Sequence, residues 1–528
     1  MTTPPKSVFE QPSAGTLTHD EPPPHLLRPE DDRSFFGHPR GLSTLFLTEM
    51  WERFSFYGIR PLLILFMTAA LASGGFDFSR QTASSIIGIY SASVYLASLP
   101  GGWVADRWLG LQRSIFVGGV LIALGHLAIG LSAFFSKGSF FLGLILIVLG
   151  TGLLKPNISA IVGDLYPEGG SRRDAGFSVF YMGINLGALV APLVTGVLGE
   201  RVGWHWGFGA AGVGMLIGVI TYRLRAPKTL GSIGREPSTT DPREHRKVRR
   251  ILGAALAVLA VVIVLTMNGV VQINAVWLAE KMATIIVGMA VLYFAYLFAL
   301  GGLVGDDRKR VVVILVLFVF AAIFWSAFEQ APTSLNLFAR DYTDRVVFGW
   351  EMPTLWLQAA NSVFVVALAP VFAAIWIALG RRRRDPSSPA KFSLGLLFTG
   401  LGFLVMMIAA NIVIRGGGHV RVSPWWLVLS YFLQTIGELS LSPVGLSTMT
   451  KLAPRKFAGQ MMGVWFMATA LGNLIAGLVG GHVDPEKLQE MPALFQQTAL
   501  FQIAAAVACA LLIVPIRRMM REVPASSG

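Results

Sequence analysis

Cysteine is nearly absent from this chain. Cys509 is the only cysteine among its 528 residues, which excludes an internal disulfide and a cysteine-based metal site. No phosphate-binding loop of the form GxxxxGKS/T occurs, and no cluster of histidine and cysteine lies in the apolar stretches. A membrane-embedded enzyme would need a nucleophile, a metal cluster or such a loop. We therefore predict neither an enzyme nor a primary pump, and no metal or other bound cofactor.

Charge is scarce as well. Charged residues make up 14% of the sequence and hydrophobic residues 54%, whereas about a quarter of an ordinary soluble domain is charged. The hydrophobic residues cluster into fourteen runs, each close to the roughly 20 residues that cross the hydrocarbon core of a bilayer. We therefore predict an all-α membrane protein with fourteen spans.

The positive charges follow the predicted topology. The formal net charge is +13, and 31 of the 43 Lys and Arg residues lie in the N-terminal tail and the loops after even-numbered spans, against 9 in the other loops. A basic nucleic-acid surface would gather this charge on one face. The positive-inside rule instead predicts that both termini lie in the cytoplasm, so the lipid bilayer and not nucleic acid is the expected partner.

The spans divide into groups of six, two and six. The group boundaries are a basic stretch rich in Pro and Ser and the basic cluster at 308–310. Residues 1–40 are polar, Pro-rich and unlike a signal peptide. The predicted divisions are a disordered cytoplasmic tail at 1–40, a six-helix bundle at 41–222, a basic cytoplasmic linker at 223–250, an inserted two-helix pair at 251–310, a second six-helix bundle at 311–521 and a tail at 522–528.

Seven charged side chains lie inside the predicted spans. A charge at the bilayer centre costs about 2.5–3.5 kcal/mol, so such residues are kept where they face a water-filled cavity and handle ions or charged substrates. The charges of the first span fall within an arc of about 100° on one helix face. This pattern predicts a transporter. The seven residues are Glu49, Glu52, Arg53, Arg60, Lys155, Glu329 and Glu438.

Two sequence motifs resemble those of known transporters. The loop GGWVADRWLG at 101–110, with Arg113 beyond it, resembles the signature of the major facilitator superfamily, whose fold is two six-helix bundles. Residues 49–57 resemble the ExxERFxYY motif of the proton-coupled oligopeptide transporter family. Further matches are GLLKPN at 152–157, FYMGINLG at 180–187, FW at 324–325 with FEQ at 328–330, and GE at 437–438 before SPVGLS at 442–447.

The chain departs from the family pattern at two positions. Phe56 stands where the motif has its first tyrosine, so that hydroxyl is absent or its role falls to Tyr57. Gly88 stands where animal members carry a histidine, so protonation must rest on carboxylates. The short loop at 415–423 leaves no room for the extracellular domain of animal relatives, which indicates a bacterial protein of the cytoplasmic (inner) membrane.

The resemblance implies a role for each matching residue. Arg53 and Lys155 would receive a peptide carboxylate, since arginine offers a planar fork and lysine a point charge. Glu438 would face the peptide ammonium, and Asn185 and Asn361 would bond the termini or the backbone. The remaining predicted peptide-binding residues are Tyr57, Arg60, Tyr95, Trp325, Trp465 and Phe466. The structural alternatives are core packing or a membrane-interface belt for the aromatic residues, and interhelical hydrogen bonds for the two asparagines.

The resemblance also implies proton coupling and gating. Glu49 and Glu52, beside Arg53 and facing Lys155, would form the proton site, with Glu329 as a further coupling residue. Arg60–Glu329 and Lys155–Glu438 would be ion pairs between the two six-helix bundles. Each pair would close the transporter on one side of the membrane in turn. Protonation and substrate shift such an equilibrium only as far as they bind the two states differently.

We therefore predict a symporter of the major facilitator fold that imports di- and tripeptides, with the proton as coupling ion and a monomer as the working unit. Two alternatives remain within transport. A proton-linked drug exporter of the same superfamily can also have fourteen spans, but gives no reason for a carboxylate–ammonium clamp. A carrier of nitrate or another anion within the same family would need the glutamates rearranged or lost, and all are present.

Overall fold

Residues 31–134, 136–382 and 384–521 are described in the computed structural model of this chain, and most of them are helical. The first group of helices is α1 (Arg40–Thr68), α2 (Arg80–Val104), α3 (Leu111–Gly130), α4 (Lys137–Asp164), α5 (Gly170–Val197) and α6 (Trp204–Thr229). Two helices follow, α7 (Pro242–Met267) and α8 (Ala275–Ala299). The second group is α9 (Asp306–Phe328), α10 (Asn336–Tyr342), α11 (Trp356–Arg381), α12 (Ser388–Arg415), α13 (Trp425–Leu452), α14 (Ala458–Gly480) and α15 (Met491–Leu511), before the short α16 (Ile513–Arg521).

Twelve of the described helical segments are long and apolar enough to cross a membrane. α1 and α13 are outside that set, although they are 29 and 28 residues long. α1 carries four of the charged residues singled out above, which lowers its hydropathy. The count of fourteen spans therefore stays a prediction.

Helix contacts link each group internally and join the two groups along two lines. α1 packs against α5 and α6 in the first group, and α12 packs against α13 and α15 in the second. α2 contacts α14 and α5 contacts α11, so these pairs connect the groups. α8 lies against α2 and α14, whereas only 6% of the most apolar window of α7 is buried. α8 therefore lies beside the line where α2 and α14 meet, and α7 is almost entirely exposed.

The predicted linker at 223–250 is helical at both ends. α6 continues to Thr229 and α7 begins at Pro242, which leaves residues 230–241 as the connection. Asp241 caps α7 by accepting the Arg243 backbone N–H at 2.8 Å. Proline in the first helical turn loses no hydrogen bond, and a capping aspartate satisfies a free N–H, so this sequence starts a helix.

One intramembrane glutamate lies at a helix break. α9 ends at Phe328, a single wide turn spans Ala331–Leu335, and α10 continues the chain. Pro332 lies in that turn and has no N–H to continue the helical hydrogen bonds. Glu329 therefore sits directly after the end of α9. A small antiparallel hairpin follows, in which β1 (Val346–Val347) pairs with β2 (Trp350–Glu351).

Glycine allows α5 to approach α1 closely beside the charged motif. A Cβ added at Gly187 would lie 3.0 Å from the Phe54 backbone nitrogen and 3.1 Å from the Arg53 Cβ, and closer still to the Met50 carbonyl. Backbone atoms cannot yield as a flexible side chain can. This contact fixes the position of the helix segment that carries Glu49, Glu52 and Arg53.

Gly187→Ala is therefore expected to destabilise the protein, by about 1–3 kcal/mol, the usual cost of overpacking. The matched control is Gly288→Ala on α8, where an added Cβ meets nothing within 4 Å and where alanine favours the helix. Thermal unfolding of the purified variants, followed by tryptophan fluorescence, should show a lower midpoint for Gly187→Ala alone. Equal midpoints would contradict the assigned α1–α5 packing.

Candidate functional site

A cavity of about 590 Å³ lies between the two helix groups. Side chains from α1, α2, α4 and α5 line one wall, and side chains from α9, α11, α13 and α14 line the other. A site of this kind can be reshaped when the groups move relative to one another. The sequence-predicted residues in its lining are Tyr57, Arg60, Tyr95, Lys155, Asn185, Trp325, Glu329, Asn361, Glu438, Trp465 and Phe466.

The cavity also contains polar residues that sequence reasoning missed. Tyr181, Gln358 and Gln434 line it. Tyr181 lies one helical turn before Asn185, whose amide donates to the Tyr181 carbonyl at 2.9 Å. That spacing was visible in the FYMGINLG match, because residues four apart share a helix face. Gln358 and Gln434 lie in none of the matched motifs, so nothing in the sequence marked them as cavity residues.

Glu49, Glu52 and Arg53 form a buried cluster on α1 that is outside the cavity lining. Their exposed fractions are 3%, 1% and 3%. Arg53 Nε lies 3.3 Å from Glu49 Oε1 and also donates to Glu52 Oε2. One oxygen of each carboxylate and Arg53 Nη2 have no hydrogen-bond partner among the described residues. The cluster thus keeps polar atoms available for a proton or water.

Arg53, which the family resemblance assigns to the substrate carboxylate, lies outside the cavity lining, and its part in substrate binding stays a prediction. Arg53 is already occupied by two carboxylates and does not line the cavity. The cations that do line it are Arg60 and Lys155. Arg53 is therefore placed to hold the Glu49 and Glu52 side chains, and a carboxylate in the cavity would meet the other two cations.

Phe56 lies between the two arginines of α1. The guanidinium carbons of Arg53 and Arg60 are 5.0 and 5.7 Å from its ring centroid, within cation–π range. The Phe56 ring also stacks on Tyr90 of α2, with centroids 6.1 Å apart. The aromatic face therefore separates two positive charges without the hydroxyl of the family motif. Tyr57 packs edge-on against Phe56 and lines the cavity.

Arg60 connects the two helix groups. Its Nη2 lies 2.5 Å from Glu329 Oε2 and 2.8 Å from Asn473 Oδ1. Arg60 and Glu329 are each 7% exposed, so water screens their charges poorly. The structure thus contains the predicted Arg60–Glu329 contact, and its action as a gate stays a prediction. Asn473 was not predicted from the sequence.

Lys155 and Glu438 are not paired in this structure. Lys155 Nζ lies over the Tyr95 ring, 4.2 Å from its centroid, and is in none of the ion pairs found among the described residues. Glu438 Oε2 accepts a hydrogen bond from Asn361 Nδ2 at 3.4 Å. The expected Lys155–Glu438 contact is therefore absent while Arg60–Glu329 is formed. The two charges remain available to a ligand between them.

Aromatic side chains form the walls near these charges. The rings of Tyr95 and Phe466 lie 6.4 Å apart between centroids, one from each helix group. Trp325 and Trp465 are 8% and 5% exposed and also line the cavity. The indole Nε1 of Trp325 has no hydrogen-bond partner among the described residues. These aromatic surfaces can contact apolar side chains of varied shape.

Polar contacts join the two helix groups near the end of α1. Arg80, the first residue of α2, lies 2.6 Å from Asp341 in α10. Glu200, just after α5, accepts hydrogen bonds from the backbone and hydroxyl of Thr354 at 2.9 and 2.8 Å. Ser159 and Ser442, which line the cavity, lie beyond Lys155 and Glu438 toward the opposite end. The cavity wall therefore includes residues on this side of Lys155 and Glu438.

The motif at 101–110, predicted as a loop, forms the end of α2 and a helical turn at Ala105–Leu109, and it contacts the start of α7. Arg107 Nη1 lies 2.7 Å from Glu244 Oε2, with side chains 46% and 30% exposed. Exposed ion pairs contribute only about 0–1 kcal/mol. The contact is therefore a weak link between the signature motif and the extra helices.

Comparison with known sequences identifies the family. Residues 112–493 match the family described as "PTR2: POT family". The chain belongs to this family. POT proteins are transporters, so the predictions of a transporter, of a non-enzyme and of a multi-pass membrane protein are confirmed. The family resemblance inferred from the α1 motif is confirmed as well.

Named relatives cover almost all of the chain. The peptide transporter YePEPT of Yersinia enterocolitica is 53% identical over 495 residues, covering 93% of this chain and 97% of the relative. The di-/tripeptide transporter of Lactococcus lactis subsp. lactis is 38% identical over 503 residues, covering 93% and 98%. The similarity therefore extends over both helix groups and the two extra helices.

Solved structures show the same architecture. A crystal structure of a peptide transporter POT in complex with sulfate has a TM-score of 0.85 and 40% identity, covering 92% of this chain and 97% of that one. A mutant of a peptide transporter POT in complex with alafosfalin gives a TM-score of 0.84, with the same identity and coverage. The predicted major facilitator fold is thereby confirmed.

Proposed function

We propose that this POT family member is a proton-coupled symporter that imports di- and tripeptides by alternating access. The observation that carries the proposal is the placement of charge in the cavity. Arg60 and Lys155 lie on one wall, and Glu438 lies on the other. A zwitterionic peptide between the walls can give its carboxylate to the cations and its ammonium to the glutamate.

Arg60 and Lys155 on one wall and Glu438 on the other, called the clamp below, would bind the two charged termini that every small peptide has. Termini are common to all di- and tripeptides, and the cavity of about 590 Å³ leaves room for side chains against Trp325, Trp465 and Phe466. Asn185 and Asn361 offer amides for the peptide backbone. A free amino acid is too short to reach both charge groups, and a long peptide cannot place its second terminus. Broad tolerance of side chains follows.

The proton coupling rests on the Glu49–Glu52–Arg53 cluster. Two carboxylates share one arginine in a buried setting, so one carboxylate is available to take up a proton. Glu329 and Arg60 form a second coupling contact between the groups. No cofactor other than the transported proton is required. The chain supplies both walls of the cavity, so a monomer is sufficient for transport.

The proposed location is the cytoplasmic membrane of a bacterium, with both termini in the cytoplasm. The excess of Lys and Arg in alternate loops supports this orientation. α1 would then begin at the inner face and finish at the outer face. The contacts of Arg80 and Glu200 would close the outer side, with the cavity extending inward.

Blocking the peptide amine tests the proposed clamp. Purified protein in liposomes with an acidic exterior should accumulate labelled dialanine. Unlabelled dialanine should compete, alanine should compete weakly, and N-acetyl-dialanine should compete at least about a hundredfold less well. Removing one partner of a buried ion pair costs about 3–5 kcal/mol, and each 1.4 kcal/mol is about tenfold in affinity.

Glu438→Gln provides the matched comparison. The neutral amide keeps the size of the side chain and removes the charge that meets the ammonium. In this variant, acetylated and free dialanine should bind with similar, weak affinity. Equal competition by both compounds in the unmodified protein would contradict the ammonium–Glu438 contact and favour an anion carrier.

A further inference from the structure

Asn473 contacts the arginine that joins the two helix groups. It is 1% exposed and lies on α14, two helical turns after Trp465. Its Nδ2 donates to the Thr469 carbonyl at 2.9 Å, and its Oδ1 accepts from Arg60 Nη2 at 2.8 Å. Arginine has only donors and a carbonyl only accepts, so both bonds require the same orientation of the amide. The amide is thus fixed with its oxygen toward Arg60.

Close packing of α2 on α14 brings Asn473 to this position. A Cβ added at Gly88 would lie 3.0 Å from the Asn473 backbone oxygen and 3.0 Å from the Gly477 Cα. A side chain at residue 88 would push the two helices apart. The glycine that replaces the histidine of animal members is therefore the same residue that lets α14 approach Arg60.

Arg60 thus has two acceptors of different chemistry. Glu329 is a carboxylate and can be neutralised by a proton, whereas the Asn473 amide is neutral at every pH. Glu329 is the only acidic residue in an ion pair with Arg60 in the described part of the chain. Among the described residues, the charged or titratable groups that interact with Arg60 or Glu329 are Tyr57, Tyr90, Tyr95, Lys155 and Glu438, and Glu52 and Arg53 lie beyond Tyr90.

We propose that Asn473 is a positioning residue that keeps Arg60 bound across the two helix groups when Glu329 takes up a proton. The proposal rests on the proposed proton coupling. Protonation then weakens the outer closure without releasing it, because the hydrogen bond to Asn473 remains. Full opening requires the loss of both contacts. When Glu329 loses its proton, Arg60 is still in place to pair with it again.

Distances between spin labels across the outer side test this role. Leu71, after α1, is 63% exposed, and Val420, after α12, is 45% exposed, so Leu71→Cys with Val420→Cys reports on the separation of the groups. The native Cys509 is fully buried and is kept. Glu329→Gln mimics the protonated carboxyl. Asn473→Leu removes the second acceptor, and Asn411→Leu is the control, because Asn411 also bonds the carbonyl four residues earlier, at 2.9 Å.

In the Glu329→Gln protein, most molecules should show the short distance between the labels at positions 71 and 420, which corresponds to the closed state. Adding Asn473→Leu should lower the ratio of closed to open populations roughly tenfold, as expected for losing a hydrogen bond to a charged group. Adding Asn411→Leu should change the ratio less than twofold. Asn473→Asp, which keeps an acceptor oxygen, should restore the closed population in the Glu329→Gln background and so separate loss of the contact from misfolding.

The proposal is overturned if Asn473→Leu shifts the ratio no more than Asn411→Leu does, or if Asn473→Asp fails to restore closure. These distances are measured without peptide and without a pH gradient. A protein that shows the Asn473 effect but does not exchange labelled dialanine between liposome and medium would contradict the proposed substrate and leave the positioning role intact. The two ideas can therefore fail separately.

Discussion

Lys155→Ala is expected to abolish accumulation of dialanine while expression stays close to that of the unmodified protein. Lys155 lies in the cavity wall and is in none of the ion pairs found in the described part of the chain, so its charge is available to a peptide carboxylate. Removing it leaves the carboxylate with Arg60, which Glu329 and Asn473 already hold. We expect uptake to fall by at least about a hundredfold, from the cost of an unpaired buried charge.

Lys228→Ala is the matched control. Lys228 lies in the last turn of α6, is exposed and is not in the cavity lining. Uptake of labelled dialanine by liposomes containing each variant, normalised to protein amount, gives the comparison. Retained accumulation in Lys155→Ala would be inconsistent with its proposed role.

Glu52→Gln is expected to separate proton coupling from substrate binding. The amide keeps the size of the side chain and imitates the protonated acid, but cannot release a proton. Glu52 is 1% exposed, bonds Arg53 and does not line the cavity, so peptide binding should survive. Accumulation driven by a pH gradient should collapse, whereas exchange of labelled for unlabelled dialanine should continue at a similar rate.

Glu280→Gln provides the comparison, since Glu280 is an exposed glutamate on α8. Both activities should be unchanged in this variant. Normal gradient-driven uptake by Glu52→Gln would remove Glu52 from the coupling site and leave Glu49 and Glu329 as the candidate carboxylates.

The sequence predicted the fold and eleven of the residues that line the cavity, because apolar runs and buried charges are local patterns and the family motifs marked the remaining positions. Long apolar runs specify membrane helices, and the motif residues on α1 share one face through helical spacing. Lys155 in α4, Glu329 just after α9 and Glu438 in α13 stood out because charge inside apolar runs is rare.

What the sequence could not predict depends on contacts between distant segments. Asn473 is 413 residues from Arg60, and an asparagine in an apolar helix has no pattern that names its partner. Whether Lys155 and Glu438 form an ion pair depends on the conformation of the protein. One sequence is compatible with every conformation of the transport cycle, so it does not indicate which pair is formed in a given structure.

Proton movement that accompanies peptide entry is the most direct test of the proposed symport. Liposomes containing the protein and an internal pH indicator are held without an imposed pH gradient, and dialanine is added outside. Inward peptide movement should acidify the interior, and Glu52→Gln should abolish the signal. Accumulation of labelled dialanine with no internal acidification would contradict proton-coupled symport.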